Sequence, residues 1–229
     1  MAQDKVDILI PVHNALAQLQ ECIYSVDKNT TNFRYIIVND YSTQEGMDNY
    51  LKSFQQTHPD SLVISTGKQK WFTRAVNLGL RLVRTDRVVI LNSDTIPRSG
   101  WLEELMGVWQ DASERIYKDV GLVGSFYSGD ETRRYAETVE PLYVTGHCWL
   151  ASVNAMNRAA FTRGTPGWVL DETDPGQIHI NSDKILCYEM NRIGLATFVS
   201  FKSHVDHIGG VSWNYDLAKV SRLDLADVD

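Results

Sequence analysis

Short, nearly unbroken apolar runs alternate with helical stripes through the first half of the chain. No other feature constrains the fold as strongly. Val6-Asp7-Ile8-Leu9-Ile10-Pro11-Val12 and Tyr35-Ile36-Ile37-Val38 have the character of strands buried on both faces. Leu62-Val63-Ile64 and Arg87-Val88-Val89-Ile90-Leu91 repeat the pattern. Between them, Leu16, Leu19, Ile23 and Val26 recur at helical spacing, as do Met47, Tyr50, Leu51 and Phe54, and then Ala75, Leu78 and Leu82. Alternation of this kind predicts right-handed βαβ units around a mostly parallel sheet flanked by helices, an α/β fold.

After about residue 115 the alternation weakens. Strands are expected at Val120–Gly124 and Leu142–Val144, a helix over Val153–Phe161, a helix over 182–193 ended by Gly194, and a last strand at Leu195–Phe201. No repeat or Pro/Gly-rich linker divides the chain. We therefore expect one domain over 1–229, with a nucleotide-type half (1–115) joined to a mixed half (116–229).

Composition narrows the function classes. With 43% hydrophobic and 22% charged residues among 229, the chain can bury a full core. No stretch reaches the roughly 18 apolar residues of a membrane span. A net charge of −7 disfavours a general polyanion binder. Cys22, Cys148 and Cys187 stand far apart with no C-x-x-C, the pattern of reduced thiols in a cytoplasmic protein. The first strand is followed by neither G-x-G-x-x-G nor a Walker-type loop, and no G-x-S-x-G elbow occurs. These absences weigh against dehydrogenases, P-loop kinases and serine hydrolases.

Polar residues gather where each strand ends: His13-Asn14, Asn39-Asp40 and Asn92-Ser93-Asp94. Ligands of open α/β sheets bind outside the carboxyl ends of the strands. Asp94 suits Mg²⁺ or Mn²⁺ with positions left for diphosphate oxygens, or it shapes a turn with Asn92 before the helix expected near Ser99. Asp183 reads as a reactive carboxylate or as an acid favoured by a helix N-terminus. His204 and His207, beside Asp206, read as surface histidines or as a ligand pair.

Taken in order, these strings resemble family 2 glycosyltransferases of the GT-A fold. Residues 7–14 resemble that family's I-I-I-P-V-Y-N, and residues 35–43 its V-D-D-G-S-T-D. Phe72–Gly79 resembles the helix G-F-x-x-A-x-N-x-G, and Leu91–Thr95 the D-x-D segment in N-x-D form. Gly146–Trp149 resembles G-x-x-W, Leu170–Glu172 the D-E element, Asn181–Asp183 the E-D element, and His207–Gly210 the closing H-x-G-G.

The resemblance implies roles residue by residue. Pro11, His13, Asn14, Asp40, Asn77, Asn92, Ser93 and Asp94 would bind a nucleotide-diphospho sugar. Asp40 would accept from the imide N–H of uracil or thymine, so a UDP-sugar is favoured. Asp94 and His207 would hold Mn²⁺ or Mg²⁺, and Asp183 would be the general base of an inverting transfer. Gly146, Trp149, Asp171 and Glu172 would meet the acceptor or the sugar. The chain departs from the family pattern at His13, Asn39, Asn92 and Ser182. The losses at Asn39, Asn92 and Ser182 keep open a catalytically silent sugar-nucleotide or glycan-binding module of the same fold. A nucleotidyltransferase is a further alternative, though it would carry a Gly-rich basic loop after the first strand. A glycan, a lipid-linked saccharide, a protein or a modified nucleobase all stand as acceptors.

Overall fold

The computed structural model describes residues 5–115, 119–126, 144–161 and 182–208. The elements run β1 (Val6–Val12), α1 (Leu16–Asn29), β2 (Phe33–Asn39), α2 (Met47–Thr57), β3 (Leu62–Ser65), α3 (Trp71–Leu80) and β4 (Arg87–Leu91). Then come β5 (Thr95–Pro97), α4 (Trp101–Arg115), β6 (Val120–Phe126), β7 (Cys148–Ser152), α5 (Val153–Phe161), α6 (Ser182–Arg192) and β8 (Ala196–His207). The sheet order is β3-β2-β1-β4-β7-β6-β8-β5.

β1 lies between β2 and β4, parallel to both, and every one of its residues is buried. Its pleat divides the core. Ile8, Ile10 and Val12 join Leu19, Ile23, Met47, Phe54 and Trp101 on the α1, α2 and α4 face. Leu9, Ile36, Val38, Val88 and Ile90 join Ala75, Val76, Met156 and Leu186 on the α3, α5 and α6 face. Two covered faces explain why the strands read as continuous apolar runs rather than alternating ones. α3 packs closely here, for a Cβ added to Gly79 would stand 2.1 Å from Leu9 Cδ1.

Asp7 is the one acid inside β1. Arg34, its register partner on β2, meets it with two hydrogen bonds of 2.7 Å, and the Arg84 backbone N–H adds a third at 2.7 Å. The hydrogen bond to Asp7 raises the already high Arg34 pKa. A charge this deep needs such complete pairing.

The second half turns the sheet mixed, as expected. β7 runs antiparallel to β4 and β6, while β6 and β8 are parallel. Two details differ from the expectation. β8 does not end near Phe201. It bends past an irregularity beside Phe126 and runs on to pair antiparallel with β5, setting His207 opposite Thr95. The short strand β5 is itself invisible to apolar periodicity. In the expected strand at 142–144, Val144 lies outside any strand, β7 begins only at Cys148, and positions 142 and 143 lie outside the described residues. Among the described residues no helix is long and apolar enough to cross a membrane.

Candidate active site

The carboxyl ends of β1, β2 and β4 form one edge, and most of the expected residues meet there. At the end of β1, the Asn14 backbone N–H donates to Ser42 Oγ (3.0 Å). Asn14 Oδ1 accepts from the Thr43 and Gln44 backbone N–H groups at 2.7 and 2.9 Å. The loops after β1 and β2 are thereby tied together. Because Oδ1 is spoken for, Asn14 Nδ2 is the donor to His13 Nε2 (3.1 Å), so His13 carries its proton on Nδ1 and donates to the Asp40 carbonyl (2.7 Å). Pro11 is buried within β1.

Asp40 has no exposed surface. Its Oδ1 accepts from the Lys70 N–H at 2.6 Å and the Thr66 hydroxyl at 3.1 Å, and its Oδ2 accepts from the Trp71 N–H at 2.6 Å. α3 has no cap from its own N-cap residue Lys70, and this distant carboxylate satisfies its first amides instead. In this arrangement Asp40 is an anchor for α3, and its reach toward a nucleobase depends on the first turn of that helix. Asn39, where the family pattern has an acid, accepts from the Ser42 N–H (3.1 Å) and so shapes the same turn. Asn77 is buried on α3.

The second cluster follows β4. Ser93 and Asp94 are buried, and Thr95 Oγ donates to the Asn92 carbonyl (2.7 Å). The β5–β8 pairing then carries His207 in, with its Nε2 3.1 Å from Asp94 Oδ1. The Ile208 N–H donates to the Asp94 carbonyl (2.9 Å), which fixes the register of this meeting. Asn92 Oδ1 is buried and has no hydrogen-bond partner among the described residues. A carboxylate, an imidazole and an amide oxygen suit a divalent cation of the Mn²⁺ kind. Among the described residues no third His, Cys, Asp or Glu completes a metal-binding group. The remaining positions would fall to ligand oxygens and water.

The Gly146-His147 turn bridges to Asp183. The Asn92 N–H donates to the His147 carbonyl (2.9 Å), and the His147 ring stacks on His207 with centroids 5.8 Å apart. His147 is buried and its Nε2 lies 2.9 Å from Ser125 Oγ. On the other side, a Cβ on Gly146 would stand 3.3 Å from the Trp149 ring and 3.5 Å from Asp183 Cβ. Gly146 is thus closed in by the Trp149 ring and lies directly beside the half-buried Asp183, in the first turn of α6.

The Trp149 expectation needs correction. Its ring has no exposed area and its Nε1 donates to the Val144 carbonyl (3.2 Å), so it belongs to the core and shapes the site only from behind Gly146. Asp171 and Glu172 lie outside the described residues. Sequence reasoning passed over Thr66, the Lys70 and Trp71 amides and His147. Backbone donors leave no mark in a sequence, whereas His147 stood inside a matched string without a role. His204 sits on β8 away from Asp94, and its carbonyl accepts from the Arg98 N–H (2.9 Å).

Two surface clefts of about 540 and 530 Å³ open at the opposite end of the sheet, around Asp119, Arg158, Lys5 and Arg87. None of the candidate-site residues Asp40, Asn92, Asp94, Gly146, Asp183 and His207 lines either cleft. The three thiols are buried, and burial pushes each up to about 12. They play no nucleophilic part.

Comparison with known proteins bears on the family and the fold. The chain is 35% identical over 108 residues to a pre-mycofactocin glycosyltransferase of Mycobacterium tuberculosis, covering 46% of this chain and 21% of that protein. It is 27% identical over 161 residues to glycosyltransferase GlyG of Streptococcus pneumoniae, covering 68% and 50%. It thus spans between a fifth and a half of these curated relatives. Among solved structures, the mannosyltransferase PcManGT from Pyrobaculum calidifontis, in complex with GDP-Man and Mn²⁺, superposes with a TM-score of 0.68 at 13% identity, covering 90% of this chain and 57% of that one. S. aureus TarS 1-349 gives 0.64 at 13% identity, covering 88% and 60%. These likenesses establish a GT-A-type fold. The family model described as glycosyl transferase family 2 matches residues 7–158, and the chain belongs to that family.

Proposed function

We propose that the protein is an inverting glycosyltransferase that moves one sugar from a nucleotide-diphospho sugar to an acceptor hydroxyl. The observation that carries this reading is the Asp94–His207 pair, set at the carboxyl edge of the sheet by the β5–β8 register. Asp94, His207 and the buried Asn92 Oδ1 would hold a divalent cation, Mn²⁺ or Mg²⁺. A cation there would neutralise the charge that develops on the departing diphosphate. The complex of PcManGT with GDP-Man and Mn²⁺ supports the same pairing of donor and cation.

Asp183 takes the proton from the acceptor hydroxyl as that oxygen attacks the anomeric carbon. The bond to the diphosphate breaks on the opposite face, with its electron pair leaving on the diphosphate. One carboxylate suffices, because no covalent intermediate forms. Gly146, directly beside Asp183, is proposed with Asp171 and Glu172 to contact the acceptor or the sugar. Ser93 and Asn77 complete the donor pocket. We favour UDP as the donor's nucleotide. An imide N–H of uracil can replace the Lys70 or Trp71 N–H on Asp40 when the first turn of α3 yields, and cytosine N3 cannot.

The losses of acid at Asn39, Asn92 and Ser182 favour one other reading, a silent module that binds donor without turnover. A thermal-shift panel of UDP, dTDP, GDP and CDP with Mn²⁺, followed by a donor-hydrolysis assay, tests both. Stabilisation led by UDP together with released diphosphate supports the enzyme. Stabilisation without hydrolysis or transfer supports the silent module. Equal stabilisation by all four nucleotides removes Asp40 from base selection.

A further inference from the structure

Between Asp60 and Asp86 the chain carries five cations, Lys68, Lys70, Arg74, Arg81 and Arg84, and no Asp or Glu. The net charge of the whole chain is −7, so positive charge is gathered here against the general trend. Much of it lies on one helix. Lys70 and Arg81 cap α3 at its two ends, and both keep a helical backbone. Positions 70, 74 and 81 therefore fall on one stripe, spaced four and seven residues apart along about 16 Å of helix axis. Ala75, Val76 and Gly79 face the sheet instead. Lys68, Arg81 and Arg84 are exposed, while Lys70 and Arg74 are half-buried.

Two observations mark this stripe as a binding surface rather than an ordinary solvated face. Among the described residues, none of the five side chains is in an ion pair or a side-chain hydrogen bond. In addition, Arg74 Nε is buried and has no hydrogen-bond partner among the described residues, whereas the guanidinium of Arg34 is matched by Asp7. A buried guanidinium N–H left unmatched carries a free-energy cost that an anionic oxygen would remove. The same stretch offers little for a bilayer. Phe72, Leu78, Leu80, Leu82 and Val83 pack against the core, and Trp71 is its one large exposed apolar side chain.

We propose that this face of α3 docks the phosphate backbone of a nucleic acid. A row of cations without interleaved acids matches a chain of phosphates, and each contact releases counterions. The row starts at the carboxyl edge of the sheet, where the Lys70 N–H meets Asp40. It ends at Arg84, which lines the 530 Å³ cleft with Lys5 and Arg87. A strand seated along it runs from that cleft to the edge that carries the candidate site. The proposal goes beyond the transferase reading and does not depend on the identity of the donor.

The test is fluorescence anisotropy of short labelled single- and double-stranded DNA, between about 50 and 200 mM salt, with the wild type and the Arg74→Gln, Arg81→Gln and Arg84→Gln variants. Wild-type binding should fall in the roughly 10⁻⁶–10⁻⁴ M range of nonspecific complexes at physiological salt, and weaken steeply as salt rises. Each variant should bind all sequences more weakly and lower the slope of log K against log salt by about 1. Lys52→Gln on α2 should change neither. Arg81 and Arg84 are exposed, so their variants carry the comparison if Arg74→Gln does not fold. Absence of DNA binding at the lowest salt overturns the proposal, as does a slope unchanged in the variants. Phosphatidylserine vesicles or poly-glutamate bound under conditions where DNA is not would also overturn it, in favour of a membrane or an acidic protein. Titration of UDP with Mn²⁺ into the same variants reads the donor site separately. Unchanged UDP affinity confines the effect to the docking face. A UDP affinity that falls in step with DNA binding would assign these cations to the donor and overturn the docking face.

Discussion

His207 Nε2 lies 3.1 Å from Asp94 Oδ1, although 113 positions separate the two residues in the chain. The contact depends on β8 continuing past its pairing with β6 to reach β5, and the Arg98–Asp206 ion pair lies beside the same ladder. If this pair holds the cation, Asp94→Ala should lower kcat/KM for transfer by roughly 10²-fold or more, the several kcal/mol expected of a charge-neutralising metal. His207→Ala should weaken Mn²⁺ binding, read by titration calorimetry without substrate. Undiminished transfer in excess chelator would contradict the cation's role.

The Asp7–Arg34 pair is buried far from that edge and should act on stability alone. Arg34→Met leaves a buried carboxylate short of its main partner, and urea unfolding should show a loss of about 3–5 kcal/mol. Pairing it with Asp7→Leu should recover most of that loss, because neither charge then needs solvation. Transfer rates of the folded variants should match wild type.

Much of this architecture was legible beforehand because burial on two faces writes continuous apolar runs. β1, β2, β3 and β4 and the helices between them follow from such runs and from the stripes of Leu19, Ile23 and Val26 or Leu51 and Phe54. β5 was not legible. Three residues, Thr95, Ile96 and Pro97, carry no period, and they are a strand only because β8 arrives from far along the chain. The candidate site divides in the same way. Asp94, His207 and Asp183 could be named from ordered strings, but the burial of Asp40 beneath the α3 amides could not. That arrangement is made by backbone N–H groups, which every residue but proline supplies.

The three buried thiols give a pH signature. Burial raises Cys22, Cys148 and Cys187 from 9.0 to about 12, so between those values the folded state holds protons that the unfolded chain has released. Their contribution to stability is complete below pH 9 and is lost as pH rises toward 12. Each thiol contributes a slope of up to about 1.4 kcal/mol per pH unit. Urea midpoints should therefore fall between pH 8.5 and 10.5, by roughly the slopes the thiolates supply. A thiol reagent at pH 8 should label the protein only after unfolding. Rapid labelling of the native protein would contradict the burial of these thiols.

The central claim is tested most directly at Asp183, the half-buried acid beside Gly146. Asp183→Asn keeps the size and hydrogen-bonding shape of the side chain but cannot accept the acceptor's proton. Turnover with donor, acceptor and Mn²⁺ should fall by roughly 10²-fold or more, while UDP affinity and melting temperature stay near wild type. If Asp183 serves only the first turn of α6, the same change costs about 1 kcal/mol or less and leaves turnover intact. Measuring turnover and melting temperature on one purified preparation decides between them. Normal turnover with a lowered melting temperature would contradict the mechanism.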